Sequence, residues 1–219
     1  MTSSKPSGKD PNPTHHMQAT YNGWIDLQTG EGIDVREIIR GLAHQCRYAG
    51  QTHRPYTIAQ HSCLCHEWAR AEELGPRLRR AALLHDAAEA YAKDLPRPLK
   101  RAVGEGYESL LRRLERRMAG LYDYPYPLPK AVKTIDHKTY LAERRGIASH
   151  PDIDTTDEVD PPESVERLMT SIWRPRKSAD RFAHRVAAEL EGLPLGWDES
   201  DLDDAQKETY LHFTTTRRF

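Results

Sequence analysis

His85 and Asp86 are adjacent in Ala81-Ala82-Leu83-Leu84-His85-Asp86-Ala87-Ala88-Glu89, a stretch otherwise apolar enough to predict one of the most buried helices of the chain. An imidazole and two carboxylates placed there without partners would cost several kcal/mol, so each needs a hydrogen-bonding, charged or metallic partner. On a helix, His85 and Glu89 share a face, while Asp86 is rotated by about 100° and approaches a common ligand from another angle. Two readings follow: a satisfied buried ion pair, or part of a metal site. A catalytic divalent ion is rarely held by two ligands, so the second reading requires further His or Asp residues from neighbouring elements. His61, after Tyr56-Thr57-Ile58-Ala59-Gln60, and Asp136, in Val132-Lys133-Thr134-Ile135-Asp136, are both polar residues where core is expected. Together the four form a mixed nitrogen and oxygen donor set suited to one divalent ion, Mn²⁺, Co²⁺, Fe²⁺, Zn²⁺ or Mg²⁺, with positions left over for water and a phosphate oxygen.

The blocks Arg47-Tyr48, Tyr56-Thr57-Ile58-Ala59-Gln60-His61-Ser62, Leu84-His85-Asp86-Ala87-Ala88-Glu89, Asp94-Leu95-Pro96 and Val132-Lys133 with Asp136 occur in that order over about residues 20–147. In this pattern the chain resembles the HD-domain phosphohydrolases of the 5'-nucleotidase-like family, which include bacterial 5'-deoxynucleotidases and phage dATP triphosphohydrolases. The resemblance implies metal ligation by His61, His85, Asp86 and Asp136, an essential proton-handling Glu89, a second catalytic carboxylate at Asp94, and substrate contact through Arg47 and Tyr48. It further implies hydrolysis of 5'-(deoxy)nucleotides, as phosphate release from dNMPs or triphosphate release from dNTPs such as dATP, and assembly as a homo-oligomer. Tyr48 departs from the bacterial nucleotidases, which carry Trp there, so recognition of base or sugar is expected to differ. An alarmone or cyclic-nucleotide hydrolase of the same superfamily is the alternative, disfavoured because alarmone hydrolases read HDxxED and here Glu89 is followed by Ala90. A nucleotide-binding sensor that keeps the pocket without turnover is a third reading.

Helices must position these groups. Asp34 caps a run with Val35, Ile38, Ile39, Leu42 and Ala43 at helical spacing, and Thr57-Ile58 opens the helix that carries His61. A single helix is expected from about Pro76 to Ala92, closed by Pro96 and Pro98. Glu108 to Leu121 is amphipathic, with Leu110, Leu111, Leu114 and Met118 opposite a solvated face of Arg112, Arg113, Arg116 and Arg117. Further helices are expected from Ala131 to Ile147 and from Ala179 to Leu190. Tyr21 to Leu27 suits a short extended piece. The fold class is therefore all-α, a bundle of about six or more helices with at most a minor N-terminal ribbon.

Residues 1–18, with three prolines and paired His15 and His16, have no apolar periodicity and read as a disordered tail. The core spans 19–150, and 151–219 reads as a polar extension with one or two packing helices, Trp173-Arg174-Pro175 and Phe182 being candidates to lie over the pocket. Net charge is −1 with 30% charged residues, which supplies no electrostatic footprint for duplex nucleic acid. The 3 cysteines, Cys46, Cys63 and Cys65, have neither disulfide-framework nor CxxC spacing, and Cys63 and Cys65 are taken as core thiols. With no apolar leader and no run of about 18 apolar residues, a cytoplasmic protein without a membrane span is expected. His44, His53, His66 and His137 are taken as ordinary helix or loop residues.

Overall fold

Asp34 accepts a hydrogen bond from Arg36 N and so opens α1 (Val35–His44), whose Ile38, Ile39 and Leu42 are fully buried. The computed structural model describes residues 15–147, 159–171, 173–194 and 202–214. Before α1, β1 (His16–Ala19) pairs antiparallel with β2 (Gly23–Asp26), Met17 opposite Ile25, and buries Ile25 beneath the ribbon. The ribbon thus takes in His16 to Gln18, which the sequence assigned to the tail: strand pairing with Gly23–Asp26 orders them despite their polarity. Residues 1–14 of that tail, and residues 151–158, 172, 195–201 and 215–219 of the polar extension, lie outside the described residues.

The remaining elements are helical: α2 (Ile58–Ala71), α3 (Pro76–Leu84), α4 (Glu89–Ala92), α5 (Arg97–Val103), α6 (Glu105–Leu121), α7 (Lys130–Gly146), α8 (Glu163–Met169), α9 (Pro175–Glu191) and α10 (Asp204–Thr214). The all-α expectation with a minor ribbon is met. Among the described residues, no helix is long and apolar enough to cross a membrane.

α2 is central. It packs against α1, α3, α7, α8 and α9, which explains why nearly every residue from Ile58 to Cys65 is buried, polar ones included. Thr57 caps it by accepting from Gln60 N at 3.1 Å and also bonds Ser178 of α9 at 2.9 Å. The C-terminal region is more structured than one or two helices: α8, α9 and α10 all contribute to the one core. α8 went unread because it is only seven residues long, with Val165 and Met169 as its whole buried face. Trp173 and Phe182 are fully buried in that core and do not overlie the pocket. Their apolar area is worth more inside than over a wet cleft.

The helix expected from Pro76 to Ala92 is broken. α3 ends at Leu84, and residues 85–88 turn with tightened bonds from Ala87 N to Leu84 O and from Glu89 N to Asp86 O before α4 begins. A straight helix would hold Asp86 and Glu89 at fixed 100° steps; the tightened turn re-aims them toward the same cleft. α4 lies close against α1, where a Cβ on Gly41 would fall 2.8 Å from Ala90 Cβ and 3.0 Å from Ala90 O. α5, unread between Pro96 and Pro98, starts with Pro98 in its first turn, where the missing N–H does no harm.

Candidate metal centre

Two helices and a turn converge on one point. α2 supplies His61, the turn after α3 supplies His85 and Asp86, and α7 supplies Asp136. His61 Nδ1 donates to the Glu143 carboxylate at 2.5 Å, and His85 Nδ1 donates to Ala82 O at 2.9 Å. With both Nδ1 atoms engaged by acceptors, each Nε2 is left to carry a proton or to ligate an ion that displaces it. The two Nε2 atoms face each other across 3.2 Å. Asp136 Oδ1 lies 3.2 Å from His61 Nε2 and 3.6 Å from His85 Nε2, and Asp86 Oδ2 lies 3.2 Å from His85 Nε2 and 3.6 Å from His61 Nε2. Acceptors packed this closely repel unless a positive charge sits among them.

The electrostatics point the same way. Burial opposes charge on His61 and His85, yet the anionic groups around them hold both imidazoles well above their ordinary 6.5. Burial likewise opposes the Asp86 and Asp136 charges, but the paired imidazoles, with Arg47 beside Asp86, hold both carboxyls well below 3.8. The pocket is built to hold carboxylates ionised around a cation.

Above this point opens a cleft of about 310 Å³ lined by Arg47, Tyr48, Asp86, Glu89, Asp94, Arg97, Lys100, Asp136, His137 and Tyr140, among others. Every site residue expected from the sequence therefore lies in or directly beneath one cleft. Glu89 is buried, its Oε1 3.0 Å from Lys100 Nζ and its Oε2 without a partner. Burial, then Asp86 and Asp94, raise its pKa to about 8 against the pull of Lys100 and Arg47. Asp94 lies in the same lining and is raised for the same first reason, burial. Tyr48 stacks with Tyr140, ring centroids 6.4 Å apart at 23°. Tyr48 and Ala49 both have φ in the left-handed region, 57° and 52°, a conformation that costs non-glycine residues about 1–3 kcal/mol each and clusters at functional sites.

Two groups at the centre were not read from the sequence as site residues. Glu143 is fully buried on α7, two helical turns beyond Asp136 and on the same face. Besides His61 it accepts from Tyr56 OH at 2.5 Å and Tyr48 OH at 2.7 Å, with Arg47 Nε at 3.5 Å. Arg47 meanwhile donates from Nη1 to Asp86 at 3.0 Å, so it braces both carboxylates as well as facing the cleft. The seven-residue step from Asp136 to Glu143 was the available signal. The second group is Cys65, one turn beyond His61 on α2: its Sγ lies 3.5 Å from His61 Nε2. His61, Cys65, His85 and Asp136 each offer one donor atom, all within 4.8 Å of one another, so this group could hold a metal ion. Two imidazoles, carboxylate oxygens and a thiol are a chemically apt donor set for a borderline divalent ion.

No family model matches the chain. An uncharacterized protein of Rhodobacter capsulatus is 39% identical to it over 124 residues, 53% of this chain and 63% of that protein, so the chain spans a little under two thirds of that relative. The uncharacterized protein YfdR of Escherichia coli is 30% identical over 131 residues, which cover 58% of this chain and 70% of YfdR. On that likeness the chain belongs to the family of YfdR.

Proposed function

We propose that this chain is a metal-dependent phosphohydrolase of the HD type acting on 5'-(deoxy)nucleotides, releasing phosphate from monophosphates or triphosphate from dNTPs. The observation that carries the reading is the convergence of two imidazole Nε2 atoms with carboxylate oxygens at 3.2–3.6 Å, directly beneath a cleft bearing cations and aromatic rings. His61, His85, Asp86 and Asp136 would hold the ion. A divalent cation bound there supplies a Lewis acid for a phosphoryl oxygen and makes a water acidic enough to attack at neutral pH.

The chain's own groups supply the rest. Glu89 has a free, buried carboxylate oxygen and a pKa of about 8, so it takes the proton from the attacking water and can return it to the leaving oxygen. Arg47, Arg97 and Lys100 bring positive charge to the cleft wall, where they neutralise and orient a phosphate. Tyr48 and Tyr140 offer ring faces to the sugar or base. Asp94, at the cleft edge, is placed to accept hydrogen bonds from a sugar hydroxyl. A volume near 310 Å³ sits at the small end of ligand pockets and suits a single nucleotide better than a polymer. A homo-oligomer belongs to the same reading.

Product identification by chromatography across dNMP, dNTP and NTP panels with Mn²⁺, Co²⁺ and Mg²⁺ tests the proposal. The expected result is phosphate or triphosphate release that disappears, together with bound ion, in His85→Ala and Asp136→Ala. No product with any ion and any nucleotide sinks it; tight nucleotide binding without product would mark a sensor instead.

A further inference from the structure

Cys65 stands one helical turn beyond His61, so its thiol lies on the face of α2 that meets the metal centre. Its Sγ sits between His61 Nε2 and Thr139 Oγ1, 3.5 Å from each, at the end of the helix face that carries His61. A buried thiol there is within reach of an ion held by His61. We propose that Cys65 is itself a ligand of the centre, adding sulfur to the nitrogen and oxygen donors of His61, His85, Asp86 and Asp136, a set that selects Zn²⁺, Co²⁺ or Fe²⁺ over Mg²⁺. The inference rests on the reading of this point as a metal centre.

Donor spacing supports it. A tetrahedral ion with bonds of about 2.0–2.1 Å to nitrogen and oxygen and about 2.3 Å to sulfur sets donors about 3.3–3.4 Å apart, and sulfur about 3.5–3.6 Å from nitrogen. The observed spacings are 3.2 Å between the imidazole nitrogens, 3.2 and 3.6 Å from them to Asp136, and 3.5 Å from sulfur to His61, with sulfur within 4.8 Å of the His85 and Asp136 donor atoms. Octahedral Mg²⁺ at about 2.0–2.1 Å would bring neighbouring donors to about 2.9–3.0 Å, and it binds oxygen in preference to thiolate. Asp86 remains available to the same ion but is shared with Arg47 Nη1 at 3.0 Å. On ligation the thiol gives its proton, now directed at Thr139 Oγ1, to solvent, and the sulfur pair forms the bond to the ion. Cys63, two residues earlier, is buried too but is not in the donor group, which makes it a matched control.

The test is Co²⁺ titration of the metal-free full chain followed by absorption spectroscopy. Ligand-field bands in the visible report that the centre binds the ion, and a sulfur-to-cobalt charge-transfer band in the near ultraviolet reports the thiolate. Wild type and Cys63→Ser should show both; Cys65→Ser should keep the first, lose the second, and bind Co²⁺ at least about 10-fold more weakly, in line with the sensitivity of metal sites to ligand support. X-ray absorption on zinc-loaded wild type needs no variant and should show one sulfur at about 2.3 Å. Ligand-field bands without the charge-transfer band, its survival in Cys65→Ser, or a zinc shell without sulfur overturns the inference while leaving the metal centre standing. Failure to bind Co²⁺ at all overturns both.

Discussion

Replacing Glu143 by Gln isolates one charge without changing shape. Glu143 is fully buried and faces donors on every side: His61 Nδ1 and Tyr56 OH at Oε1, Tyr48 OH at Oε2, and Arg47 Nε nearby. A carboxamide satisfies the first pair with its oxygen, and its NH₂ then meets the Tyr48 hydroxyl, which can rotate to accept, and Arg47, which cannot. One charge-assisted bond and the Arg47 pairing are lost. Hydrogen bonds to charged groups contribute about 1.5–3 kcal/mol each, so a loss of about 3 kcal/mol follows. For a chain of this length that lowers Tm by roughly 6–12 °C. The effect has a pH signature. The carboxyl is held below its ordinary 4.5, burial being outweighed by His61 and Arg47, so its stabilisation is present above pH 4.5 and is lost as pH falls through the depressed value. Denaturant unfolding of the metal-free proteins should therefore show the gap between wild type and Glu143→Gln closing in acid. Calorimetry should show ion affinity falling by about 10–100-fold, since the carboxylate orients His61 and raises its basicity. A variant with wild-type stability at pH 7 and unchanged ion affinity would refute this account of His61.

Three further substitutions have definite expected outcomes. Glu89→Gln should retain the ion but lower turnover by about 10²–10⁴-fold; the wild-type rate should rise with pH to a midpoint at or below about 8, a bound ion offsetting part of the Asp86 charge, and a midpoint unchanged in residual Glu89→Gln activity would remove Glu89 from the role. Because its folded pKa lies above the ordinary 4.5, ionising Glu89 costs the metal-free fold stability between pH 4.5 and about 8, so Glu89→Gln should gain stability over wild type through that window in denaturant titrations. Lys100→Met removes the cation 3.0 Å from Glu89 and should move the rate midpoint upward; a downward shift contradicts the pairing. Gly41→Ala gains about 1 kcal/mol of helix propensity but drives a methyl into Ala90 backbone and side chain, an overpacking cost of about 1–3 kcal/mol, so thermal melting should show net loss and a stabilised variant would show that α4 can yield.

Much of the centre was legible because its members violate pattern. His61 and His85 are buried at positions where helical periodicity calls for apolar residues, and Asp136, half-buried, stands beside the apolar Val132 and Ile135 face of α7. Glu143 escaped notice for the opposite reason: it lies between Ala142 and Arg144 near a helix end, where a glutamate is ordinarily solvated, and only the docking of α7 on α2 buries it. Cys65 was read as a core thiol, which its burial supports, but burial and ligation predict the same apolar surroundings. The break at residues 85–88 left no trace, since Ala, Leu and Glu favour helix throughout and the turn is made by tightened hydrogen bonding without glycine or proline.

The bond between Thr57 and Ser178 ties the first turn of α2, four residues before His61, to α9 near the far end of the chain. Because α9 packs against α2 and holds its N-cap, undocking α9 loosens the helix that carries His61. Linkage then runs both ways: an ion held by His61 should increase the protection of α9 amides against exchange, and a lesion in the buried α9 face, such as Phe182→Ala, should weaken the ion's grip. The C-terminal helices are in this sense part of the affinity of the centre.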